Sequence, residues 1–320
     1  MMKILIAYDG SESADIGIAH LGRAGLPLEA DALVISVAEV WLPPPGDEVS
    51  DNNLPLQVSA SLERARAHAA KIVENAQLLS ESAGKRVRQI FPGWTVRCEA
   101  MSGSPAHELL TRVREWQPNL VVVGSHGRTA LGRFVLGSVS QKVLTEAQSS
   151  VRVARQASGT GASGIRILLA VDGSAGAQEA ARSVSTRDWT PGSEVRVVVA
   201  EDILTANPVY ALIPPVNEFL YEVNRTERTE AERIAENAVK ELRIILENKN
   251  VTVSSRIVCG DPKQVLVKHA EEFGADCIFT GATGFSTPID RLLVGSVSAA
   301  VAARAHCSVE VVRAQLPNAI

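Results

Sequence analysis

The sequence predicts an α/β protein: two doubly wound domains, each a five-stranded parallel sheet whose last strand lies at an edge, with helices on both faces. Three observations lead there. Short apolar runs alternate with stretches of helical periodicity, the order that gives parallel strands joined by right-handed helical crossovers. The pattern is also written twice. Lys3–Ser11 (KILIAYDGS) returns as Arg166–Ser174 (RILLAVDGS), and Val96–Pro105 (VRCEAMSGSP) is echoed by Val253–Pro262 (VSSRIVCGDP). Finally, a glycine-rich turn follows an apolar strand in each copy, at Leu120–Ser140 and at Cys277–Ser298. A chain of 320 residues is comfortable for two such domains and too long for one.

The elements of the first copy follow in order. An apolar run places a strand at 3–8, and Asp9-Gly10-Ser11 supplies the turn into a helix over 12–23. A second strand covers 31–38; within it Leu33–Glu39 (LVISVAE) matches Val195–Glu201 (VRVVVAE), which pairs Val37 with Val199. Trp41–Pro55 is Pro-rich and acidic and reads as an exposed loop, with the more apolar Leu204–Pro215 as its counterpart. Charges at helical spacing mark a long helix within 58–87, and Thr226–Leu246 has the same character; both read as solvated outer faces of sheet-covering helices. A strand at 94–101, a helix at 105–116, an apolar strand at 119–124, a helix at 138–147 and a last strand at 150–155 complete the copy. Gln156–Gly164 is a run of small residues without apolar periodicity, a flexible linker between domains 1–155 and 165–320. The last strands, Val151-Arg-Val-Ala and Val309-Glu-Val-Val-Arg, are edges that invite pairing.

Composition narrows the partners. A net charge of −4, with Lys and Arg scattered among acidic residues, argues against a nucleic-acid groove or an anionic membrane surface. Cys98, Cys259, Cys277 and Cys307 have no metal-type spacing and read as buried small hydrophobes in a reducing compartment. The first residues run straight into a strand and turn, unlike a signal peptide, and no apolar run reaches the roughly 20 residues of a membrane span. The expectation is a soluble, cytoplasmic protein.

The chemistry concentrates at the glycine turns. Glycines let backbone approach a ligand, and a helix N-terminus offers unpaired N–H groups to an anion. In a doubly wound sheet the ligand sits beyond the carboxyl ends of the strands, where Asp9, Val37, Gly103 and the Gly124 turn converge. No Gly-x4-Gly-Lys-Ser/Thr is present, so the lysine of a P-loop is missing. Arg128 and Arg133 offer positive charge at the turn, or else are solvated. Asp9 and Asp172 suit either ribose contact or a turn-and-cap role. His126 reads as a ligand neighbour or a solvated residue rather than a catalytic acid, since no triad or metal set lies near it. Ser138 and Ser140 read first as helix-start caps, and second as phosphoryl acceptors.

These residues resemble the universal stress protein family in its tandem two-domain form, over nearly all of both halves. Its nucleotide-binding members carry Gly-x2-Gly-x9-Gly-Ser/Thr after the fourth strand, matched here by Gly124, Gly127, nine residues, Gly137 and Ser138. The resemblance implies a Rossmann-like sheet that binds ATP, with or without Mg²⁺. It implies that Ala7 and Asp9 flank base and ribose, and that Val37 presents its backbone to the adenine edge. Val123, Gly124, His126 and Gly127 then line ribose and phosphates, and Gly137, Ser138, Val139 and Ser140 hold the phosphates, with Arg128 a candidate for added positive charge there. The second copy offers Ala170, Asp172, Val199, Thr280, Gly281, Thr283, Gly284, Gly295, Ser296, Val297 and Ser298. It departs from the pattern, with ten residues between Gly284 and Gly295, Pro288 among them. That extra residue is either absorbed in the outer loop or tilts the helix start away. The family's last strand meets its partner's equivalent, so the halves are expected to form an internal pseudo-dimer, with a homodimer of chains as a further level. The implied function is nucleotide sensing or signalling in stress response, with at most slow ATP hydrolysis or autophosphorylation. A nucleotide-free dimerisation or adaptor protein, and a slow ATPase, are the alternatives.

Overall fold

The computed structural model describes residues 1–40, 56–127, 136–156, 164–201, 214–283 and 294–314. The loop Trp41–Pro55, Arg128, Arg133, Gly284, Pro288, most of the linker and most of Leu204–Pro215 lie outside them.

The first half runs β1 (Met2–Ala7), α1 (Glu12–Ala19), a short 3-10 turn, β2 (Ala30–Ala38), α2 (Leu56–Ile90), β3 (Thr95–Ser102), α3 (Pro105–Trp116), β4 (Leu120–Gly124), α4 (Ser138–Glu146) and β5 (Ser150–Ala154). The second repeats it as β6 (Arg166–Ala170), α5 (Ala175–Thr186), β7 (Glu194–Glu201), α6 (Pro214–Leu246), β8 (Thr252–Cys259), α7 (Pro262–Phe273), β9 (Cys277–Gly281), α8 (Ser296–Arg304) and β10 (Ser308–Val312). Each half has five strands, as expected, but they do not form two separate sheets. One ten-stranded sheet runs β3-β2-β1-β4-β5-β10-β9-β6-β7-β8. Every neighbouring pair is parallel except the central one, where β5 and β10 meet antiparallel with Val153 opposite Val309 and Arg152 opposite Glu310.

The sheet has helices on both faces. On one face a single core spans both halves, with Leu109, Val113, Val143 and Leu144 packed on Val121 and Val153 and continuing into Leu266, Val301 and Val309. On the other face each half has its own cluster, under α1 and α2 or under α5 and α6. The long helices bury narrow stripes of small residues. Ala69, Ala76, Ser80, Ala83 and Val87 are buried along α2, and Ala231, Ala235, Leu242 and Leu246 along α6, spacings that keep one face on the sheet.

The seam is polar as well as apolar. Ser308 Oγ accepts from Arg155 N–H and Ser150 Oγ from Arg313 N–H, each at 3.1 Å. Arg155 then donates to Ala303 O at the end of α8, and Arg313 to Leu144 O near the end of α4, so each half closes a helix end in the other. Neither arginine has an acidic partner among the described residues, and burial pulls both guanidinium groups down to about 10. Between these contacts, buried Glu310 receives Arg152 at 3.3 Å and is hydrogen-bonded by Arg187.

Two cysteines are buried, Cys277 and Cys307, and burial raises both thiols, Cys277 to about 11. Cys98 is partly buried and Cys259 exposed, so the expectation of four buried cysteines holds for two.

Candidate functional site

Both Asp-Gly-Ser segments fold into the same turn. Asp9 Oδ1 accepts from Ser11 N–H at 2.9 Å, and Asp172 Oδ1 from Ser174 N–H at 3.0 Å. Gly10 and Gly173 take φ of 77° and 82°, the left-handed region where a side chain is strained. The helix caps are the serines: Ser11 Oγ accepts from Ala14 N–H and Ser174 Oγ from Ala177 N–H, each at 3.2 Å. The aspartates therefore shape the turns, and the capping half of their alternative role belongs to Ser11 and Ser174.

The glycine turns are closed identically. Gly137 N–H donates to Ser125 O at 2.8 Å, and Gly295 N–H to Ala282 O at 2.7 Å. Ser140 Oγ donates to Gly124 O at 2.7 Å and Ser298 Oγ to Gly281 O at 2.6 Å. The extra residue of the second copy thus leaves the start of α8 where the start of α4 stands. These bonds also correct the reading of Ser140 as a cap. The N-cap positions are Gly137 and Gly295, neither helix has a side-chain cap, and Ser140 and Ser298 are buried ties between helix and strand. Ser138 and Ser296 are exposed in the first turn.

The glycines divide by reason. A Cβ on Gly124 would stand 2.7 Å from Ser13 Oγ, and one on Gly281 would stand 2.3 Å from the carbonyl carbon of Gly176. These two are glycine because the first helix of each half packs on the strand end. At Gly137 a Cβ would make only ordinary contact, 3.4 Å from His126 Cα, and φ is −61°. Gly127 is similar, with Asp9 Oδ2 at 3.4 Å from its would-be Cβ. Among the described residues little demands glycine at 127 and 137.

In the second half the expected residues surround a cavity of about 250 Å³. Ala170, Asp172, Thr280, Gly281, Thr283, Gly295, Ser296, Val297 and Ser298 all line it. Val199 does not. Strand register pairs Ala7 with Ile35 and Ala170 with Val198, so Val37 corresponds to Ala200 and Val199 to Ser36. A slip of one residue turns a side chain to the other face. Val199 is packed in the α5/α6 cluster, while Val198 and Ala200 line the cavity. Sequence matching missed those two, along with Val171, Ser174, Ala177, Pro262 and Leu266. The repeated segments 166–174 and 195–201 and the Gly-Asp-Pro echo before α7 contain most of them, but nothing there marks them as facing a ligand.

In the first half Ala7, Val37, Val123 and Val139 border the shared core face. His126 Nδ1 lies 2.9 Å from Ser125 Oγ, and its buried Nε2 has no partner among the described residues. Ser13 also reaches the turn, its Oγ accepting from Ser125 N–H at 2.6 Å and His126 N–H at 3.2 Å. No cluster of three His, Cys, Asp or Glu suited to a metal occurs among the described residues, and no helix there is long and apolar enough to cross a membrane.

A duplicated parallel α/β sheet with paired Asp-Gly-Ser and glycine-rich turns at its strands' carboxyl ends defines a nucleotide-binding type of fold. The family profile of the universal stress proteins matches residues 1–155 and again 165–313, and the chain belongs to that family, with two copies in tandem. The universal stress protein YxiE of Bacillus subtilis is 27% identical over 170 residues, covering 48% of this chain and 98% of the relative. A universal stress protein of Methanocaldococcus jannaschii is 30% identical over 156 residues, covering 48% and 82%. A crystal structure of a universal stress protein from Archaeoglobus fulgidus covers 97% of this chain and 96% of its own, with a TM-score of 0.60 at 18% identity, a likeness of fold.

Proposed function

We propose that this protein is a cytoplasmic, ATP-binding stress protein that senses or signals nucleotide state, divided into domains 1–155 and 165–320. The observation that carries the reading is the 250 Å³ cavity at the carboxyl end of the second half's sheet, between Asp172 and the uncapped start of α8. Its floor of Val198, Ala200 and Leu266 suits a purine face. Exposed Asp172 suits a ribose, and the open first-turn N–H groups behind Gly295 suit a phosphate.

ATP would be held by main-chain donors and hydroxyls, with Mg²⁺ arriving on its phosphates. Among the described residues no side chain near either turn is arranged for rapid hydrolysis. Ser140 and Ser298 are buried and already donate to carbonyls, which speaks against them as phosphoryl acceptors. Any pairing of two chains would use surfaces other than β5 and β10, which are consumed within the chain; β3 and β8 are the outer edges.

Thermal unfolding with and without ATP and Mg²⁺ tests the proposal. Ligand at a hundred times its Kd stabilises by about 2.7 kcal/mol, so the melting temperature should rise by several degrees. An unchanged melting temperature at millimolar ATP would overturn it.

A further inference from the structure

We propose that the two sites have divided their roles: the second half holds the nucleotide, and the first half keeps the motif while filling its own donors and pocket. The inference rests on the nucleotide-binding reading above. It also runs against the glycine spacing, which is the regular one in the first half.

Two independent differences carry it. The first is volume. Register makes Ile35 the counterpart of Val198, and Val37 that of Ala200. All four lie on the face shared by α3, α4, α7 and α8. The second half thus has one carbon fewer at the first position and two fewer at the next, both beneath the spot where the base would lie. Val198 and Ala200 both line the cavity, which their smaller size helps to open. Thr280 also replaces Val123, placing a hydroxyl 3.1 Å from Ser298 Oγ in the cavity wall.

The second difference is who satisfies the turn. In the first half Ser13 Oγ takes the amides of Ser125 and His126 at 2.6 and 3.2 Å, so both turn amides are already occupied by a side chain. Its counterpart is Gly176, which has no hydroxyl to offer and cannot gain one in place; the Ala282 amide donates to Val312 O at 2.8 Å instead, so the contrast between the halves lies at the Thr283 amide, which meets no such hydroxyl among the described residues. A Cβ on Gly176 would stand 2.1 Å from Thr283 O. A nucleotide entering the first half meets the larger Ile35 and Val37 and, at the His126 amide, the Ser13 hydroxyl; in the second half it meets the smaller Val198 and Ala200 and no such hydroxyl at the Thr283 amide.

Equilibrium dialysis of the full chain against ATP and Mg²⁺, with photolabelling by 8-azido-ATP and peptide mapping, tests this. One nucleotide per chain is expected, with the label within 165–314. Ala200→Val, which copies Val37, should weaken binding roughly tenfold or more, the equivalent of about 1.4 kcal/mol of overpacking. Thr280→Val, which copies Val123 and nearly preserves volume, should weaken it too and guards against misfolding of the first variant. Circular dichroism melts confirm that both variants are folded. Two equivalent sites, label within 1–156, or unchanged affinity in both variants would overturn the division of roles and leave nucleotide binding standing. No binding by the unaltered chain would overturn the nucleotide reading, and this inference with it.

Discussion

Gly281 shows how one residue type can carry two unrelated demands. In sequence, Gly124, Gly127, Gly137 and their second-half equivalents form one motif and invite one explanation. In the structure Gly124 and Gly281 make room for a neighbouring helix, whereas at Gly137 the chain would accept a methyl group. Gly281→Ala should therefore destabilise the protein by about 1–3 kcal/mol, since the backbone of Gly176 has nowhere to move. Gly137→Ala should change stability by less than about 0.5 kcal/mol and leave ATP binding by the second half intact. Urea unfolding of the two variants, beside ATP titration of the second, separates packing from ligand. The spacing was legible in the sequence; the reasons were not, because Ser13 and Gly176 lie far from the turns along the chain and meet them only when folded.

Elements were legible in kind and in order. The strands and helices of the first half stand close to where periodicity placed them, except that the helix expected over 12–23 ends at Ala19 and finishes as a 3-10 turn at Leu21–Arg23. Register was harder. Val195–Glu201 is apolar almost without alternation, being buried on both faces, so nothing in it marks which residues face the cavity. The shared Val-Ala-Glu then drew the match one position out of step. Glu201 is buried beside Arg228, whereas Glu39 is exposed, which fits their different places in the register. Helix ends differ between copies as well. α3 closes on Gln117 with φ 49°, and α7 on Gly274 with φ 66°. Gln117 is exposed, so Gln117→Gly gives up little contact and relieves a left-handed conformation. The substitution should stabilise the chain by about 0.5–1 kcal/mol, read as a higher urea midpoint at unchanged m-value.

The whole molecule responds to acid through its histidines. Burial holds His20, His269 and His306 below their ordinary value of 6.5. The unfolded chain therefore takes up protons first as pH falls through 6.5, and the stability these groups confer above that value is lost on the way down to their folded-state values. The unfolding free energy should fall between pH 7 and pH 5, with net proton uptake on unfolding near pH 6; a flat profile would contradict the burial. Duplication was plain in the sequence at this scale, and so was the meeting of the two last strands. The charge arrangement at that meeting was not, since Arg152 and Glu310 look like ordinary surface charges until the strands face each other. A strand that joins its own duplicate about a twofold axis confronts itself at the centre, and here β5 would bring arginine against arginine and β10 glutamate against glutamate. Opposite signs at that one crossing have made the lobes lock and key: neither can be exchanged for a second copy of the other, and each is free to drift toward its own ligand.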